Sequence, residues 1–345
     1  MIYFLSEINS DGTTAGNKAR NDVEKILTQR GYKPIKAPTL WKEKRHGNRV
    51  LFFLKTRQYL KRLKKTIPDK STLIVQYPLL AEFKGKEKKL DYTYLFSSLA
   101  KYYNIIAIVH DINNLRSNVK KKSTDDLKNA KYIISHNKKM TSYLVNEGIE
   151  KNKVVNLQIF DYLISKENEK THFKDKETIC FAGNLVKSEF VYNFPDNVKK
   201  LGINLYGNGY NAKQYGVNYK GTFDSETISS VIKGKYGLIW DGGSSETCDE
   251  YVGEYLKYNN PHKLSMYIVA NMPIIIWDQA AEADFVLANN IGITISKLTD
   301  IPQKIQQIDE EKYNQMLKSV KKVKQKLIDG DFLNHNLDFI EKEIG

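Results

Sequence analysis

The chain has 345 residues, of which 41% are hydrophobic and 27% are charged, a balance typical of a globular protein large enough for two domains. Its two cysteines, Cys180 and Cys248, exclude a disulfide framework, and no apolar run reaches the length of about 20 residues that crosses a bilayer. The formal net charge of +14 is concentrated between Lys42 and Lys89, where 15 cations and four acids indicate either a phosphate-bearing partner or a solvated lysine-rich face.

The first half of the chain alternates short apolar runs with helical patterns. Each run is about as long as a buried parallel strand, and Gly31 and Gly148 follow the first and last helices, where left-handed cap residues belong. The predicted strands are Ile2–Leu5, Thr72–Tyr77, Ile105–His110 and Tyr132–Ser135, and the predicted helices are Asn17–Arg30, Arg49–Lys65, Tyr92–Tyr103 and Lys138–Glu147. This alternation predicts an open parallel sheet covered by helices.

A polar, charged segment, Ser165–Glu177, is the predicted linker, and the alternation resumes after it. The predicted strands here are Thr178–Ala182, Asn204–Tyr206, Tyr236–Trp240 and Pro273–Trp277, and the predicted helices are Asp224–Lys233, His262–Ala270, Ala280–Ala288 and a tail after Asp300 that is interrupted at Gly330. The sequence therefore predicts an α/β protein with two doubly wound domains, over residues 1–170 and 177–330. The final helix, 331–345, is expected to return to the first domain.

Candidate chemistry in the first half follows two predicted strands, because open α/β sheets bind ligands at the carboxyl ends of their strands. The small polar loop before the first helix contains Thr14 and Gly16, and its N–H groups could approach a phosphate or a sugar. An ordinary turn between strand and helix is the alternative. His110 and Asp111 leave a buried strand, and either could be the general base that deprotonates an acceptor hydroxyl. The alternative is a core histidine beside a helix-capping aspartate.

The second half offers candidates for binding a nucleotide diphosphate. Lys263 falls in the first turn of a predicted helix, where the helix dipole disfavours a cation, so its presence predicts a bound anion unless the lysine only faces solvent. The dinucleotide fingerprint, the P-loop, zinc-ligand spacing and an Asp-x-Asp clamp are all absent from the sequence, which favours a metal-free site over an NAD or metal enzyme. The donor-side candidates in this half are Gly183, Asn184, Lys187, Asp241, Asn260, His262 and Lys263.

Four segments together resemble bacterial galactofuranosyltransferases that build exopolysaccharide, capsule or O-antigen. More distantly, the chain resembles the streptococcal glucosyltransferase that extends O-linked GlcNAc on serine-rich repeat adhesins. The resemblance implies a GT-B fold, in which two Rossmann-like domains face each other across a cleft, together with a UDP-sugar donor, no metal cofactor and a homo-oligomer, either a dimer or a tetramer. The segments that carry it are Phe181–Ser188, Tyr206–Tyr210, Gly237–Asp241 and Gly253–Ser265.

The same resemblance implies nucleotide contacts at individual positions. Residues that contact the nucleotide in the adhesin-modifying relatives match Thr14, Lys187, Tyr219 and Lys263 of this sequence. Lys187 stands where those relatives have arginine, so it can pair with a phosphate but cannot bind one through two parallel hydrogen bonds.

The expected function is transfer of a hexose, galactofuranose or glucose, from a UDP-sugar to a saccharide acceptor on lipid or protein. The protein is expected in the cytoplasm, with Asp111 as the base of an inverting reaction and with peripheral contact to the inner face of the membrane through the basic segment Arg57–Lys65. The rival interpretation is a basic nucleic-acid-binding protein without catalytic activity, and the lack of a recognised nucleic-acid motif counts against it.

Overall fold

The structure is a computed structural model, and it describes residues 1–7, 15–40, 48–80, 94–116, 124–165 and 178–344. Its first sheet has six parallel strands in the order β2-β1-β3-β4-β5-β6. The strands are β1 (Ile2–Ser6), β2 (Lys33–Lys36), β3 (Thr72–Tyr77), β4 (Asn104–Val109), β5 (Tyr132–Ser135) and β6 (Val154–Asn156). The central strands β3 and β4 are mostly apolar and are buried after their first residue, as expected for a parallel sheet with both faces covered.

The second sheet also has six parallel strands, in the order β12-β11-β10-β7-β8-β9. The strands are β7 (Ile179–Ala182), β8 (Ile203–Tyr206), β9 (Val217–Tyr219), β10 (Tyr236–Ile239), β11 (Ile274–Trp277) and β12 (Gly292–Ile295). Strands β7, β8, β10 and β11 are buried throughout and form the centre of one large hydrophobic core. The predicted α/β class, with two parallel sheets, is therefore confirmed.

Helices connect the strands in both halves. In the first half they are α1 (Ala15–Gln29), α2 (Arg49–Thr66), α3 (Tyr94–Ala100), α4 (Asn113–Arg116), α5 (Thr124–Leu127) and α6 (Lys138–Asn146). In the second half they are α7 (Asp196–Lys199), α8 (Ile228–Val231), α9 (Glu250–Glu254), α10 (His262–Val269), α11 (Ala283–Ala288), α12 (Ile301–Gln306), α13 (Glu310–Asp329) and α14 (Asp331–Ile344). Within the described ranges, no helix has the length and apolarity needed to span a membrane.

The four strands that the sequence did not predict, β2, β6, β9 and β12, are the four edge strands of the two sheets. Each of them leaves several positions partly or fully exposed, whereas the predicted strands are almost wholly buried. An edge strand needs no continuous apolar run, because one side of it faces solvent or loops. Hydrophobic runs therefore identified the interiors of both sheets and missed their borders.

Several predicted helices are shorter in the structure, and the predicted linker lies almost entirely outside its described part. The predicted helix Asp224–Lys233 contracts to α8, because the carboxylate of Asp224 accepts a hydrogen bond from the backbone N–H of Glu226 and forms a turn instead. The predicted linker falls almost entirely in residues 166–177, and the predicted domain limits at 170 and 177 fall there as well, outside the described residues.

The chain divides into two compact units, and each contains one of the sheets. The first unit consists of Met1–Asn9, Val23–Leu157 and Asn336–Gly345. The second unit consists of Ser10–Asp22 and Gln158–His335. The larger part of α14 thus groups with the first unit, although its first turn groups with the second.

Helix α10 lies against strands β7 and β10 of the second unit and fixes one side of the candidate site. Gly237 of β10 permits this approach, since a Cβ atom there would lie 2.3 Å from the ring of Tyr267. The Tyr267 hydroxyl then accepts a hydrogen bond of 2.8 Å from the backbone N–H of Ala182, at the end of β7. These contacts hold the start of α10 beside the carboxyl ends of both strands.

Asp161 holds the start of α14 within the second unit. Its two carboxylate oxygens accept hydrogen bonds from the backbone N–H groups of Phe332, at 3.2 Å, and Leu333, at 2.8 Å. Gly330, with a φ of 75°, ends α13 one residue before α14 begins. Asp161 is 5% exposed, and burial raises its pKa to about 7, although the two N–H donors act in the opposite direction.

Replacing Asp161 with asparagine is expected to change how stability depends on pH. The folded protein keeps a proton on Asp161 up to about pH 7, whereas the unfolded chain loses it near pH 4, the ordinary aspartate pKa of about 3.9. The free energy of unfolding of the wild type should therefore fall by about 1–3 kcal/mol relative to Asp161→Asn as the pH rises from about 5 to 8. Urea unfolding at both pH values measures this, and a difference that is constant with pH would mean an ordinary, ionised carboxylate.

Candidate active site

The loops after β7 and β8 are joined at the carboxyl edge of the second sheet. The backbone N–H of Gly183 donates to Tyr206 O at 3.0 Å, and that of Leu185 donates to Asn208 O at 3.1 Å. Gly207 makes this approach possible, because its φ is 136° and a Cβ atom there would lie 1.8 Å from Gly183 O. The predicted glycine turns thus form one continuous rim of backbone groups.

Two further donor-side candidates lie on the loop after β7. Asn184 is exposed, and it stabilises the loop by accepting hydrogen bonds from the Val186 N–H at its side chain and from the Ser188 hydroxyl at its backbone oxygen. Lys187 is exposed and has no ion-pair partner among the described residues. Its ammonium group is therefore available to a ligand at this edge.

Lys263 and Asp241 form an ion pair where β10 ends and α10 begins. The Lys263 Nζ atom lies 2.8 Å from Asp241 Oδ1 and 3.2 Å from Trp240 O, and both side chains of the pair are 16% exposed. The ammonium group also lies 4.8 Å from the centre of the Phe181 ring. The anion that the sequence predicted beside Lys263 is thus supplied in this structure by Asp241, and a bound diphosphate would have to share the lysine with it.

The loop that follows Asp241 is closed by Asp249, a residue that the sequence did not indicate. Asp249 Oδ1 accepts hydrogen bonds from the backbone N–H groups of Gly243, at 3.0 Å, and Ser244, at 3.2 Å. The indole N–H of Trp240 donates to Ser244 O at 2.9 Å. The loop is therefore a compact turn that fixes the backbone on either side of Asp241.

The side chains of His262 and Asn260 mainly contact other residues of the second unit. The His262 ring stacks on Tyr162 with centroids 4.9 Å apart, and it is hydrogen-bonded to the backbone of Asp161. Burial, together with the charge of Lys18, lowers the pKa of His262 to about 3, so the ring is neutral near pH 7 and cannot supply a positive charge. Its Nε2 atom is buried without a hydrogen-bond partner among the described residues. Asn260 is buried, and its amide nitrogen donates to Gln158 O.

Three tyrosine rings form a row beside the loop after β8. The rings of Tyr192 and Tyr210 stack with centroids 5.2 Å apart, and Tyr219 lies 5.4 Å from Tyr210. The Tyr219 hydroxyl donates to Gly207 O at 2.8 Å, which fixes its ring next to the loop, and the side chain remains 42% exposed. An exposed ring held in this way can stack on a planar nucleobase.

The first candidate loop is only partly described. Thr14 lies outside the described residues. Gly16 lies within α1, which begins at Ala15, so the predicted helix start at Asn17 was two residues too late.

Lys18 forms a buried polar cluster that was not predicted. Its Nζ atom lies 2.6 Å from both oxygens of Asp22 and 2.6 Å from Leu163 O, and it lies 4.7 Å from the Tyr162 ring. Both charged side chains are 1% exposed. Because Tyr162 in turn stacks on His262, a continuous series of contacts connects α1 to the start of α10. A lysine and an aspartate four residues apart on one helix were the only local signal for it.

The two candidate bases follow β4 in the first unit. The His110 Nε2 atom lies 2.7 Å from Gln76 Oε1, which fixes the orientation of the imidazole ring. Asp111 comes directly after it, before α4, and both residues are half-buried. His136, on the neighbouring β5 side, is fully buried, and burial lowers its pKa to about 4, so it is neutral. Asp111 therefore brings a carboxylate to this strand end, as the sequence predicted.

The donor-side edge of the second unit combines glycine loops, two lysines and a helix start. Residues 2–159 match the N-terminal domain of glucosyltransferase 3-like proteins, and residues 179–339 match their C-terminal domain. The chain belongs to the glucosyltransferase 3-like family. It is therefore a glycosyltransferase, and the family assignment favours this enzyme over a nucleic-acid-binding protein without catalytic activity.

Named relatives of this family member agree with the resemblance found in the sequence. The β-1,6-galactofuranosyltransferase WbbI of Escherichia coli K12 is 32% identical over 345 residues, which cover 98% of this chain and 97% of WbbI. Glucosyltransferase 3 of Streptococcus gordonii is 24% identical over 201 residues, which cover 58% of each chain. The predicted similarity to both groups of enzymes is confirmed.

Solved structures of low sequence identity share the fold of this glycosyltransferase. Sucrose-phosphate synthase from Thermosynechococcus elongatus has a TM-score of 0.61 at 10% identity, covering 99% of this chain and 98% of that chain. The complex of Anabaena HepE with UDP-glucose has a TM-score of 0.57 at 10% identity, with the same coverage. These similarities confirm the predicted GT-B fold.

Proposed function

We propose that this glycosyltransferase transfers a hexose, galactofuranose or glucose, from a UDP-linked donor to a saccharide acceptor. The observation that carries the proposal is the position of Lys263, paired with Asp241, at the start of α10 and the carboxyl end of β10. A helix start and an ammonium group converge there, on the sheet edge where open α/β folds bind nucleotides. The names of WbbI, a galactofuranosyltransferase, and of the HepE complex with UDP-glucose support the sugar class and the nucleotide.

The leaving diphosphate is stabilised by protein groups without a metal ion. Lys263 offers its ammonium group and the N-terminus of α10 offers backbone N–H groups, while Lys187 adds a second cation from the loop after β7. Charge that develops on UDP as the glycosidic bond breaks is met by groups that are already in place, which is the largest expected catalytic effect. Tyr219, Thr14 and Gly16, the last of these in the first turn of α1, complete the contacts to the nucleotide.

The acceptor hydroxyl is activated by Asp111, with His110 beside it. The carboxylate takes the hydroxyl proton while the oxygen attacks the anomeric carbon opposite the departing UDP, so that the configuration inverts. The acceptor is a saccharide carried on lipid or protein, in the synthesis of a bacterial surface polysaccharide or glycoprotein. The enzyme acts in the cytoplasm, where UDP-sugars are made, as a homo-oligomer that is a dimer or a tetramer.

UDP is expected to raise the melting temperature of the protein in the presence of a metal chelator. Saturation at 100 times the dissociation constant should stabilise the folded state by about 2.7 kcal/mol. Differential scanning fluorimetry with UDP, GDP and ADP, each with chelator or with magnesium, measures this. A shift that requires the metal would contradict metal-free binding, and an equal response to all three nucleotides would contradict a uridine-specific site. Hydrolysis of a panel of UDP-sugars would then identify the hexose.

A further inference from the structure

Helix α2 uses one side to pack into the first unit. Phe52 and Thr56 are fully buried on this side, and Leu60 and Leu63 are less than a tenth exposed. Their spacing of four, four and three residues places them in one stripe along the helix. The Tyr59 hydroxyl, at the edge of the stripe, donates to Lys36 O of β2. The burial of this stripe assigns it to the core of the first unit.

The opposite face of α2 is strongly basic. The helix contains seven lysine and arginine residues and no aspartate or glutamate. None of the four cations at its carboxyl end is paired with a described carboxylate, although Lys64 lies over the ring of Tyr102. These four exposed cations are Lys61, Arg62, Lys64 and Lys65.

Three large apolar side chains share this outer face at the start of the helix. Val50 is 69% exposed, Leu54 is 56% exposed and Leu51 is 39% exposed. Positions 50, 54, 57, 61 and 65 follow one another at spacings of three or four, so that the apolar end and the cations lie along one outward stripe. The exposed face is therefore amphipathic along its length, with an apolar end followed by a basic end.

We propose that this outer face of α2 docks on an anionic lipid bilayer. The cations lie near the headgroups, and Val50, Leu51 and Leu54 enter the boundary with the acyl chains. Charge alone would also suit a nucleic acid, but a polyanion offers no apolar phase for three exposed aliphatic side chains. A second copy of the chain is disfavoured because a symmetric contact would place the exposed cations Lys61, Arg62, Lys64 and Lys65 of one helix against the same basic face of the other.

Docking of this kind would bring the enzyme to acceptors that are anchored in the same membrane. The interaction concerns a surface of the first unit and needs neither Lys263 nor a bound nucleotide. A variant can therefore lose membrane docking and still bind UDP, and another variant can lose UDP binding and still dock on the membrane. Stabilisation by UDP serves as the control that keeps the two proposals separate.

Co-sedimentation with vesicles of phosphatidylcholine, with or without phosphatidylglycerol, tests the proposal at low and high salt. The wild type should sediment with the anionic vesicles at low salt and remain in the supernatant with the neutral ones. Changing Lys61, Arg62, Lys64 and Lys65 to glutamine should lower the partition coefficient by roughly a thousandfold, at about fivefold for each cation. The variant Val50→Ser, Leu51→Ser, Leu54→Ser keeps every charge and should also lose binding, by at least about tenfold.

A matched control removes the same charge elsewhere. Helix α13 also carries exposed lysines, and changing four of them, Lys318, Lys321, Lys322 and Lys326, to glutamine lowers the net charge equally. This control should retain vesicle binding. Equal loss in the control, retention in the serine variant, or a wild type that never sediments would each overturn the proposal. Wild-type oligomers that the serine variant dissociates, as measured by light scattering, would overturn it in favour of a contact between copies.

Discussion

Lys263→Ala should lower the turnover of the UDP-sugar by roughly a hundredfold or more and leave the fold intact. The reason is the position of its ammonium group, at the start of α10 and beside the end of β10, where no other described cation approaches within ion-pairing distance of Asp241. Loss of this charge removes stabilisation that grows as the diphosphate departs. Initial rates at saturating acceptor, with the melting temperature as a check on folding, measure the effect.

Removal of Lys263 also leaves Asp241 without its partner, so a second variant is needed to separate two causes of lost activity. The double variant Lys263→Ala, Asp241→Asn removes both charges of the pair. If the lysine acts on the nucleotide, the double variant should stay as inactive as the single one. Recovery of most of the activity in the double variant would show that an unpaired carboxylate was the cause, and unchanged turnover in Lys263→Ala would refute the proposed role.

Asp111→Asn is expected to reduce kcat by about 10²–10⁴-fold, the usual range for loss of a general base. The amide keeps the size of the side chain and cannot accept the proton of the acceptor hydroxyl. Stabilisation by UDP should be unchanged, because the donor-side candidates belong to the other unit.

His110→Gln serves as the comparison for this variant, because the imidazole is the other candidate base at the same strand end. It should lower activity by less, through loss of the contact with Gln76 that orients this region. If Asp111→Asn retains wild-type activity and His110→Gln does not, the roles of the two residues are the reverse of those proposed.

The interiors of both sheets could be read from the sequence, whereas their edges could not. Strand β4 is apolar throughout Ile105–Val109 and was predicted, because burial on both faces imposes that composition. Strand β9 is only partly buried and three residues long, so neither its length nor its hydrophobicity distinguishes it from a loop. Its pairing with β8 forms only in the folded chain, and the local sequence pattern of β9 does not predict it.

The sequence predicted individual residues of the candidate site but not the contacts between their side chains. Lys263 could be recognised because a cation at a helix start conflicts with the helix dipole. Its pairing with Asp241, 22 positions away, depends on how α10 lies against β10. Lys18 was missed because its hydrogen-bond acceptor, Leu163 O, is 145 positions away in the sequence. No residue near Lys18 in the sequence marks it as buried.

Asp241 holds a negative charge 2.8 Å from the ammonium group to which we assign the diphosphate. A UDP-sugar has an esterified outer phosphate, whereas spent UDP ends in a free phosphate that takes a second negative charge near neutral pH. With the nucleotide bound as proposed, the carboxylate repels the spent form more strongly than the intact donor. In that arrangement Asp241 would compete with the diphosphate for Lys263 and would favour the exchange of spent UDP for fresh donor at the end of each cycle.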